Sequence, residues 1–124
     1  PQHSAFKWLV SDVAATGSNY SRPKMLERYA LATLYYSTNG DGGDAHSWYN
    51  DSGWLTEDDA CSWYGALCKN DGTESSVTSL DLPNNQLVGP LPDELSMISR
   101  LENLSLNDNV CNPDCRAVSG FCLF

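Results

Sequence analysis

The sequence predicts a mixed α/β fold: a short solenoid of about two coils, with a helical N-terminal cap and a cysteine-rich C-terminal end. Three observations lead to this prediction. Two segments before residue 37 have helical apolar spacing, a later segment repeats its own leucine spacing, and three of the five cysteines lie at or after residue 111. The chain has 124 residues, so we expect a single domain over residues 1–124.

Two helices are predicted in the N-terminal part. Residues 4–14 place Phe6, Leu9, Val10 and Val13 at i, i+3, i+4 and i+7, which puts them on one helical face. A second helix is predicted over residues 24–36, with Ser21 as its N-cap and a proline in its first turn. This second helix is apolar around most of its circumference, which indicates burial on more than one side.

An irregular, aromatic segment follows from Ser47 to Cys68. Bulky rings of this kind usually fill the gap between two differently shaped elements, and they can alternatively form a platform for a ligand. The pattern does not decide between these interpretations. The rings belong to Trp48, Tyr49, Trp54, Trp63 and Tyr64.

The segment from Val77 to Asn109 repeats itself when Val77 is aligned with Leu101. Leu80, Leu82, Asn85 and Leu87 then fall on Leu104, Leu106, Asn109 and Cys111. This L-x-x-L-x-L-x-x-N-x-L pattern indicates one turn of a coil per repeat. A short strand supplies inward leucines, the asparagine side chain satisfies backbone groups at the bend, and neighbouring turns must stack because one turn cannot bury its own leucines.

The quoted residues resemble the plant-type leucine-rich repeat. LVGPLPDEL follows the N-x-L step and is similar to the family's L-x-G-x-I-P-x-x-L turn, with Gly89, Leu91, Pro92, Leu95 and Ile98 in those places. Upstream, ALATLYYSTNGD, Trp54-Leu55 and CSWYGALC resemble the family's N-terminal cap. The resemblance covers roughly residues 24 to 109. It implies a cap over residues 1–76 that seals the first repeat, repeats over residues 77–109, and a disulfide between Cys61 and Cys68.

The C-terminal residues 110–124 are predicted to form a second, cysteine-rich cap. Continuing the same alignment places Cys111, Cys115 and Cys122 on apolar positions of the preceding repeat. We expect two of them to cross-link and close the end of the core, although the sequence does not determine which two. If Cys61 pairs with Cys68, the remaining cysteine is either a buried free thiol or a bond to another chain.

Composition excludes several classes of partner. The net charge of −9 disfavours nucleic acid and anionic membrane surfaces, and no apolar run approaches the ~20 residues of a membrane span. Five cysteines favour an oxidising compartment. Three N-x-S/T sequons, at Asn19, Asn50 and Asn103, agree with it. We therefore expect a glycoprotein that is secreted or held in an organelle lumen, after removal of a signal sequence.

No residue pattern indicates catalysis, a metal or a cofactor. His3 and His46 have no recognisable catalytic partners, and the adjacent acidic pairs are expected to point into water. The acidic loop at residues 39–44 lacks the ligand spacing of an EF-hand. The three C-terminal cysteines lack both zinc-site spacing and a fourth ligand. We therefore expect a protein that is not an enzyme.

The resemblance implies a non-catalytic protein-binding module that contacts another, unidentified protein. Its partner would contact the exposed residues between the strand leucines, and the aromatic segment offers a competing surface. The alternative is a structural subunit held in a multi-subunit assembly. The candidate partner-binding residues are Ser79, Asp81, Asn84, Asn103, Ser105, Asn107 and Asp108, together with Trp48, Tyr49 and Trp54.

Overall fold

Two α-helices begin the fold. The computed structural model describes residues 1–17, 19–42 and 47–111, and it places α1 at Gln2–Thr16 and α2 at Arg22–Ser37. Helix α1 ends at Gly17, which adopts the left-handed conformation that glycine tolerates best. Helix α2 begins two residues before the predicted range, and its predicted N-cap is confirmed, because the Ser21 hydroxyl accepts the backbone N–H of Lys24.

The buried face of α1 differs from the apolar face seen in its sequence. Ala5 and Asp12 are buried, whereas Phe6 is 58 % exposed and Val10 is 53 % exposed. Apolar periodicity alone would bring the two exposed residues inward. Asp12 is buried instead, because its charged partner lies on α2.

That partner is Arg28, which forms a buried ion pair with Asp12. The guanidinium donates to both carboxylate oxygens, at 3.0 and 3.1 Å, and both side chains are 1 % exposed. Its remaining hydrogen bonds go to the carbonyl oxygens of Thr56 and Asp58, at 2.8 and 2.9 Å. The cation also lies close to the centroids of three rings, a geometry that stabilises a desolvated guanidinium. The rings belong to Trp8, Tyr20 and Trp63.

A second buried carboxylate attaches α2 to the sheet. One oxygen of Glu27 accepts the backbone N–H of Val77 at 2.8 Å, and the other accepts from the Lys24 ammonium at 3.0 Å. The same ammonium donates to the carbonyl oxygen of Ser75 at 2.6 Å. The burial of α2 on several sides was predicted, but these charged contacts were not.

Three strands form the main sheet. Strand β1 (Ala66–Asn70) pairs antiparallel with β2 (Ser75–Asp81), and β2 pairs parallel with β4 (Asn103–Ser105), so the order across the sheet is β1-β2-β4. The parallel register pairs Ser79 with Asn103. This pair has the same separation in sequence as Val77 and Leu101, so the predicted alignment of the two repeats is confirmed here. The sequence predicted β2 at Val77 to Leu82 but gave no indication of β1.

A second, two-stranded sheet follows a different register. Strand β3 (Val88–Gly89) pairs parallel with β5 (Val110–Cys111), which places Gly89 opposite Cys111. The alignment predicted Leu87 opposite Cys111, and that position is wrong because the bend from Asn85 to β3 is longer than the bend from Asn109 to β5. The other two C-terminal cysteines, Cys115 and Cys122, lie outside the described residues, as does His46.

The core fills the space between α2 and the sheet. The repeat leucines Leu80, Leu82, Leu104 and Leu106 are at most 1 % exposed. A 3₁₀ helix at Asp93–Met97 brings further apolar side chains to the same cluster. The other members include Leu31, Leu34, Trp63, Val77, Leu87, Leu95 and Ile98. The architecture is mixed α/β.

Close packing of β3 against α2 explains the glycine at position 89. The φ of Gly89 is 126°, and a Cβ atom there would collide with the carbonyl oxygen of Ser37 at the end of α2. The neighbouring Val88 N–H donates to the carbonyl oxygen of Thr38 at 3.1 Å. The backbone of β3 therefore lies directly against the end of α2.

One disulfide, between Cys61 and Cys68, joins a 3₁₀ turn (Ala60–Ser62) to β1. This bond is the one that the resemblance implied. Division of the chain into residues 1–76, 77–109 and 110–124 stays a prediction.

We expect Asp12→Asn to lower the free energy of unfolding by about 3 kcal/mol, because Arg28 would become a buried cation without its counter-charge. Urea denaturation followed by tryptophan fluorescence measures the change. Lys7→Gln, an exposed substitution on the same helix, is the control and should shift stability by less than about 0.5 kcal/mol. Equal effects of the two variants would show that the ion pair has no special importance.

Candidate functional site

The solvent face of the three-stranded sheet brings the predicted strand residues together. Leu80 and Leu104 are fully buried, and side chains alternate along a strand. The intervening residues therefore point to water. Ser79 lies beside Asn103, whose amide donates to the Ser79 hydroxyl at 3.3 Å, and Asp81 lies beside Ser105.

The turn after each strand extends this surface. The backbone N–H of Asn84 donates to the carbonyl oxygen of Asn107 at 2.9 Å, which joins the two turns. The Ser105 hydroxyl donates to the Asn107 side chain, which in turn donates to Asp108. We call the whole surface the sheet-face patch. It consists of Ser79, Asp81, Asn84, Asn103, Ser105, Asn107 and Asp108.

Two asparagines hold the bends beneath the patch. The Asn109 side-chain oxygen accepts the N–H groups of Asn85 and Leu87, at 2.9 and 3.0 Å, and its amide donates to the Leu82 carbonyl oxygen at 2.7 Å. One turn earlier, the Asn85 side chain bonds the N–H and the carbonyl oxygen of Asn50. Asn109 also donates to the Leu106 and Asn107 carbonyl oxygens of its own turn. Each asparagine thus satisfies backbone groups at a bend, as the repeat pattern predicted.

Sequence reasoning missed one exposed apolar residue at the margin of the patch. Leu67 on β1 pairs with Ser79 in the sheet register and is 58 % exposed. No signal in the sequence pointed to Leu67, because β1 was not predicted and its pairing with β2 is seen only in the structure. Leu67, Ser79 and Asn103 therefore form one row across three strands.

Two ion pairs hold the β1–β2 hairpin against the turn before β4. Lys69 contacts Glu102 at 3.0 Å, and Asp71 contacts Arg100 at 2.7 Å. Asp71 also accepts from the Thr73 hydroxyl and from the backbone N–H groups of Thr73 and Glu74. The Thr73 hydroxyl first, and then these N–H groups and the Arg100 charge, lower the pKa of Asp71 well below its ordinary value.

The aromatic segment is mostly core. Trp48 is 5 % exposed and Trp54 is 6 % exposed, and their rings pack edge to face at a centroid distance of 4.7 Å. Their indole N–H groups donate to the carbonyl oxygens of Thr38 and Tyr64. These two tryptophans fill the gap between α2 and the sheet. Of the three aromatic residues predicted to bind a partner, only Tyr49 is accessible, at 70 % exposure.

Tyr35 closes this aromatic cluster on the side of Asp51. Its hydroxyl donates to the Asp51 carboxylate at 2.9 Å. Burial, followed by the hydrogen bond to Asp51 and the negative charge there, raises the pKa of Tyr35 above its ordinary value. The hydroxyl therefore stays a donor at neutral pH.

The three sequons occupy different environments. Asn19 is exposed in the connection between α1 and α2, and Asn103 is exposed on β4 within the patch. Asn50 is half-buried, and its side-chain oxygen accepts the N–H of Ser52. A glycan on Asn103 would cover the centre of the sheet-face patch.

Within the described part of the chain, no cluster of three or more His, Cys, Asp or Glu side chains could hold a metal ion. His3 lies exposed near the start of α1. An open groove of about 330 Å³ lies between α1 and α2, lined by Ser4, Lys7, Trp8, Ser11 and Tyr36. None of the described helices combines the length and the apolar character needed to cross a bilayer.

Comparison with known proteins relates part of the chain to plant receptor kinases. Receptor-like protein kinase HSL1 of Arabidopsis thaliana is 42 % identical over 62 residues, which cover 49 % of this chain and 6 % of that protein. Receptor-like protein kinase 5 of the same plant is 41 % identical over 63 residues, or 49 % of this chain and 6 % of the kinase. A probable leucine-rich repeat receptor-like protein kinase, also from Arabidopsis thaliana, is 32 % identical over 88 residues, or 65 % of this chain and 9 % of the kinase.

These matches show a region related to leucine-rich-repeat receptor-like kinases. No protein-family model matches the chain. The chain spans less than a tenth of the length of the curated relatives that it matches.

We expect Asn109→Ala to destabilise the fold by about 3 kcal/mol, because it removes the partner of two N–H groups and of three carbonyl oxygens at the bend. Chemical denaturation and amide exchange at Asn85 and Leu87 measure the effect. Asn107→Ala, two positions away and exposed, is the matched control. A loss no larger than that of the control would contradict the role assigned to Asn109.

The lowered pKa of Asp71 predicts a stability contribution that depends on pH. Its folded pKa lies below the unfolded value, so the contribution is present above about pH 4 and is lost as pH falls through the folded pKa. We therefore expect the stability advantage of the wild type over Asp71→Asn to shrink on acidification. Urea unfolding of both proteins across the acidic range measures it. An advantage that is independent of pH would refute the prediction.

Proposed function

We propose that the chain is a leucine-rich-repeat segment of about two stacked coils that binds another protein through the sheet-face patch. The observation that carries this proposal is the parallel register of β2 and β4. It sets Ser79 and Asp81 beside Asn103 and Ser105, which occupy the same places one repeat later in the chain. Stacked strands about 4.8 Å apart convert two short sequence segments into one continuous surface.

The contacts between the turns support the proposed solenoid. The N–H groups of Leu82 and Asn84 donate to the carbonyl oxygens of Ser105 and Asn107, at 2.9 Å in both cases. Asn109 adds side-chain hydrogen bonds across the same boundary. The leucines of both turns are buried in one cluster, as expected for units that cannot bury their apolar faces alone.

The charge and shape of the patch define the kind of partner that fits it. Asp81 and Asp108 are exposed and negative, the other five members are neutral, and Leu67 adds an apolar margin. We propose that the partner is a protein segment that carries basic side chains next to an apolar one. Opposite charges would steer its approach, and contact with Leu67 would add buried apolar area.

We also propose that the segment acts outside the cytosol and without catalysis of its own. The disulfide between Cys61 and Cys68 suits an oxidising compartment. The similarity to proteins named as receptor-like kinases favours the recognition part of such proteins, because this chain carries the repeat pattern rather than any motif of phosphoryl transfer.

The test compares two double variants with the same change in charge. Ser79→Arg/Asn103→Arg places two long cations on the patch, and Ser52→Arg/Ser99→Arg places two on exposed positions away from it. Each protein and the wild type are immobilised, and proteins retained from a secreted-protein extract of the source are quantified by mass spectrometry. The retained amount of a partner that binds the patch should fall at least about tenfold with the first variant and stay unchanged with the second.

The result expected is one protein retained by the wild type and the control but lost by the patch variant. The proposal is refuted when both double variants retain every partner equally. Stoichiometric co-purification of several chains, insensitive to the patch, would support instead the alternative of a structural subunit in a larger assembly.

A further inference from the structure

Two large exposed side chains lie beside the sheet-face patch. Leu67 on β1 pairs with Ser79 and is 58 % exposed. Tyr49 is 70 % exposed, and its backbone N–H donates to the Asn85 carbonyl oxygen at 3.2 Å. Asn85 directly follows the patch residue Asn84. Leu67 and Tyr49 therefore lie at the margin of the patch, one at the level of the strands and one at the level of the turns. We call these two residues the flanking pair.

Both members of the flanking pair lie on the same side of the first repeat. The Asn85 N–H donates to the Asn109 side-chain oxygen at 2.9 Å, and the Asn50 N–H donates in the same way to the Asn85 side-chain oxygen at 2.8 Å. The segment of Tyr49 and Asn50 therefore precedes the first bend as the first bend precedes the second. Leu67 has the same place at the level of the strands, because β1 lies on the side of β2 opposite β4.

A carboxylate without a counter-charge lies between the levels of the flanking pair. Asp81 is exposed, and it forms no ion pair with any residue in the described part of the chain. Its backbone N–H donates to the carbonyl oxygen of Gly65 at 2.8 Å, so its backbone neighbour on the side of the flanking pair carries no side chain. The Asp81 carboxylate is therefore available to a cation of a partner.

We propose that the partner binds as an extended segment that runs alongside β2 over the flanking pair, with an apolar side chain toward each end and a basic side chain between them. This inference rests on the proposed function and adds to it the order of the partner's residues. The apolar side chains contact Leu67 and Tyr49, and the basic one pairs with Asp81. Apolar contact supplies most of the affinity, and the charge pair fixes the register.

The positions along β2 set the spacing of the partner's side chains. Ser79, which lies beside Leu67, is two residues before Asp81, or about 6.7 Å along the strand. Asn85, which lies beside Tyr49, is four residues after Asp81 and at most about 13 Å further, because the chain bends after β2. An extended partner covers these distances in about two residues and about two to four residues. Every second side chain of an extended chain points to the same side, so all three contacts fall on one face.

A capped synthetic peptide of the order leucine, serine, arginine, serine, leucine, serine, leucine has this spacing. It and its reverse, which covers the opposite chain direction, are titrated to about 1 mM into the whole labelled chain, and amide NMR signals are followed. We expect one of the two to shift the signals of Leu67, Asp81 and Tyr49. The matched control exchanges the arginine with the serine before it, which moves the charge to the other face, and it should bind at least about fivefold more weakly. Glutamate in place of arginine should weaken binding at least about tenfold.

Two double variants test the apolar contacts with the same peptide. Tyr49→Ser/Leu67→Thr removes the flanking pair and should weaken binding at least about tenfold. Phe6→Ser/Val10→Ser removes two similarly exposed apolar side chains from α1, at 58 % and 53 % exposure, and should bind like the wild type. Equal midpoints of chemical unfolding confirm that the variants are folded, and the comparison of peptides on the wild type needs no variant at all.

The inference is overturned when neither peptide direction binds better than its face-shifted control, or when no signal of the flanking pair moves at about 1 mM peptide. Equal binding to the wild type and to Tyr49→Ser/Leu67→Thr overturns it as well. The proposed function is judged separately. A natural partner that is lost with Ser79→Arg/Asn103→Arg but retained by Tyr49→Ser/Leu67→Thr would keep the sheet-face patch as the binding site and refute the role of the flanking pair.

Discussion

The buried ion pair between Asp12 and Arg28 is the interaction on which the N-terminal half of the structure depends. A guanidinium taken out of water is costly unless its charge is paired and its N–H groups are hydrogen-bonded. Here those acceptors come from α1 and from the carbonyl oxygens of Thr56 and Asp58. One side chain on α2 therefore fixes the rotation of α1 and the path of the loop that leads to the disulfide. The exposure of Phe6 and Val10 is a direct consequence of that rotation.

Glu27 extends the same principle toward the sheet. It immediately precedes Arg28 and binds the N–H of Val77, so adjacent charged residues on α2 hold two different neighbours. The tryptophans fill the remaining space between the helix and the strands. A solvated charge could not specify geometry in this way, because water would satisfy it in any orientation. Burial makes these few hydrogen bonds decisive for how the elements are arranged.

Periodic apolar residues were sufficient to predict much of this fold. The two helices, the burial of the repeat leucines and the repeat offset follow from apolar spacing, and the Ser21 cap follows from residue type. Spacing could not reveal which face of α1 is buried, since that depends on the distant Arg28. It also missed β1, whose residues have no clear alternation and become a strand by pairing with β2. The predicted register of Cys111 was wrong because the two bends differ in length.

The candidate site was predicted to the extent that it follows strand alternation. Ser79, Asp81, Asn103 and Ser105 come together because inward leucines force their neighbours outward. Trp48 and Trp54 do not join them, because both are buried. The sequence did not reveal this burial, since an aromatic residue gives the same local pattern whether it is packed or exposed. Leu67 was overlooked for the opposite reason, because an exposed leucine has no polar signature.

The asparagine hydrogen bonds connect the two bends in one direction along the chain. Asn85 bonds backward to Asn50, and Asn109 bonds backward to Leu82, Asn85 and Leu87. Opening the last turn therefore leaves the Asn85 contacts to the aromatic loop intact, whereas displacing that loop strips Asn85 of its acceptor and donor at once. Local unfolding around Asn109 should consequently leave the aromatic loop and the helices folded.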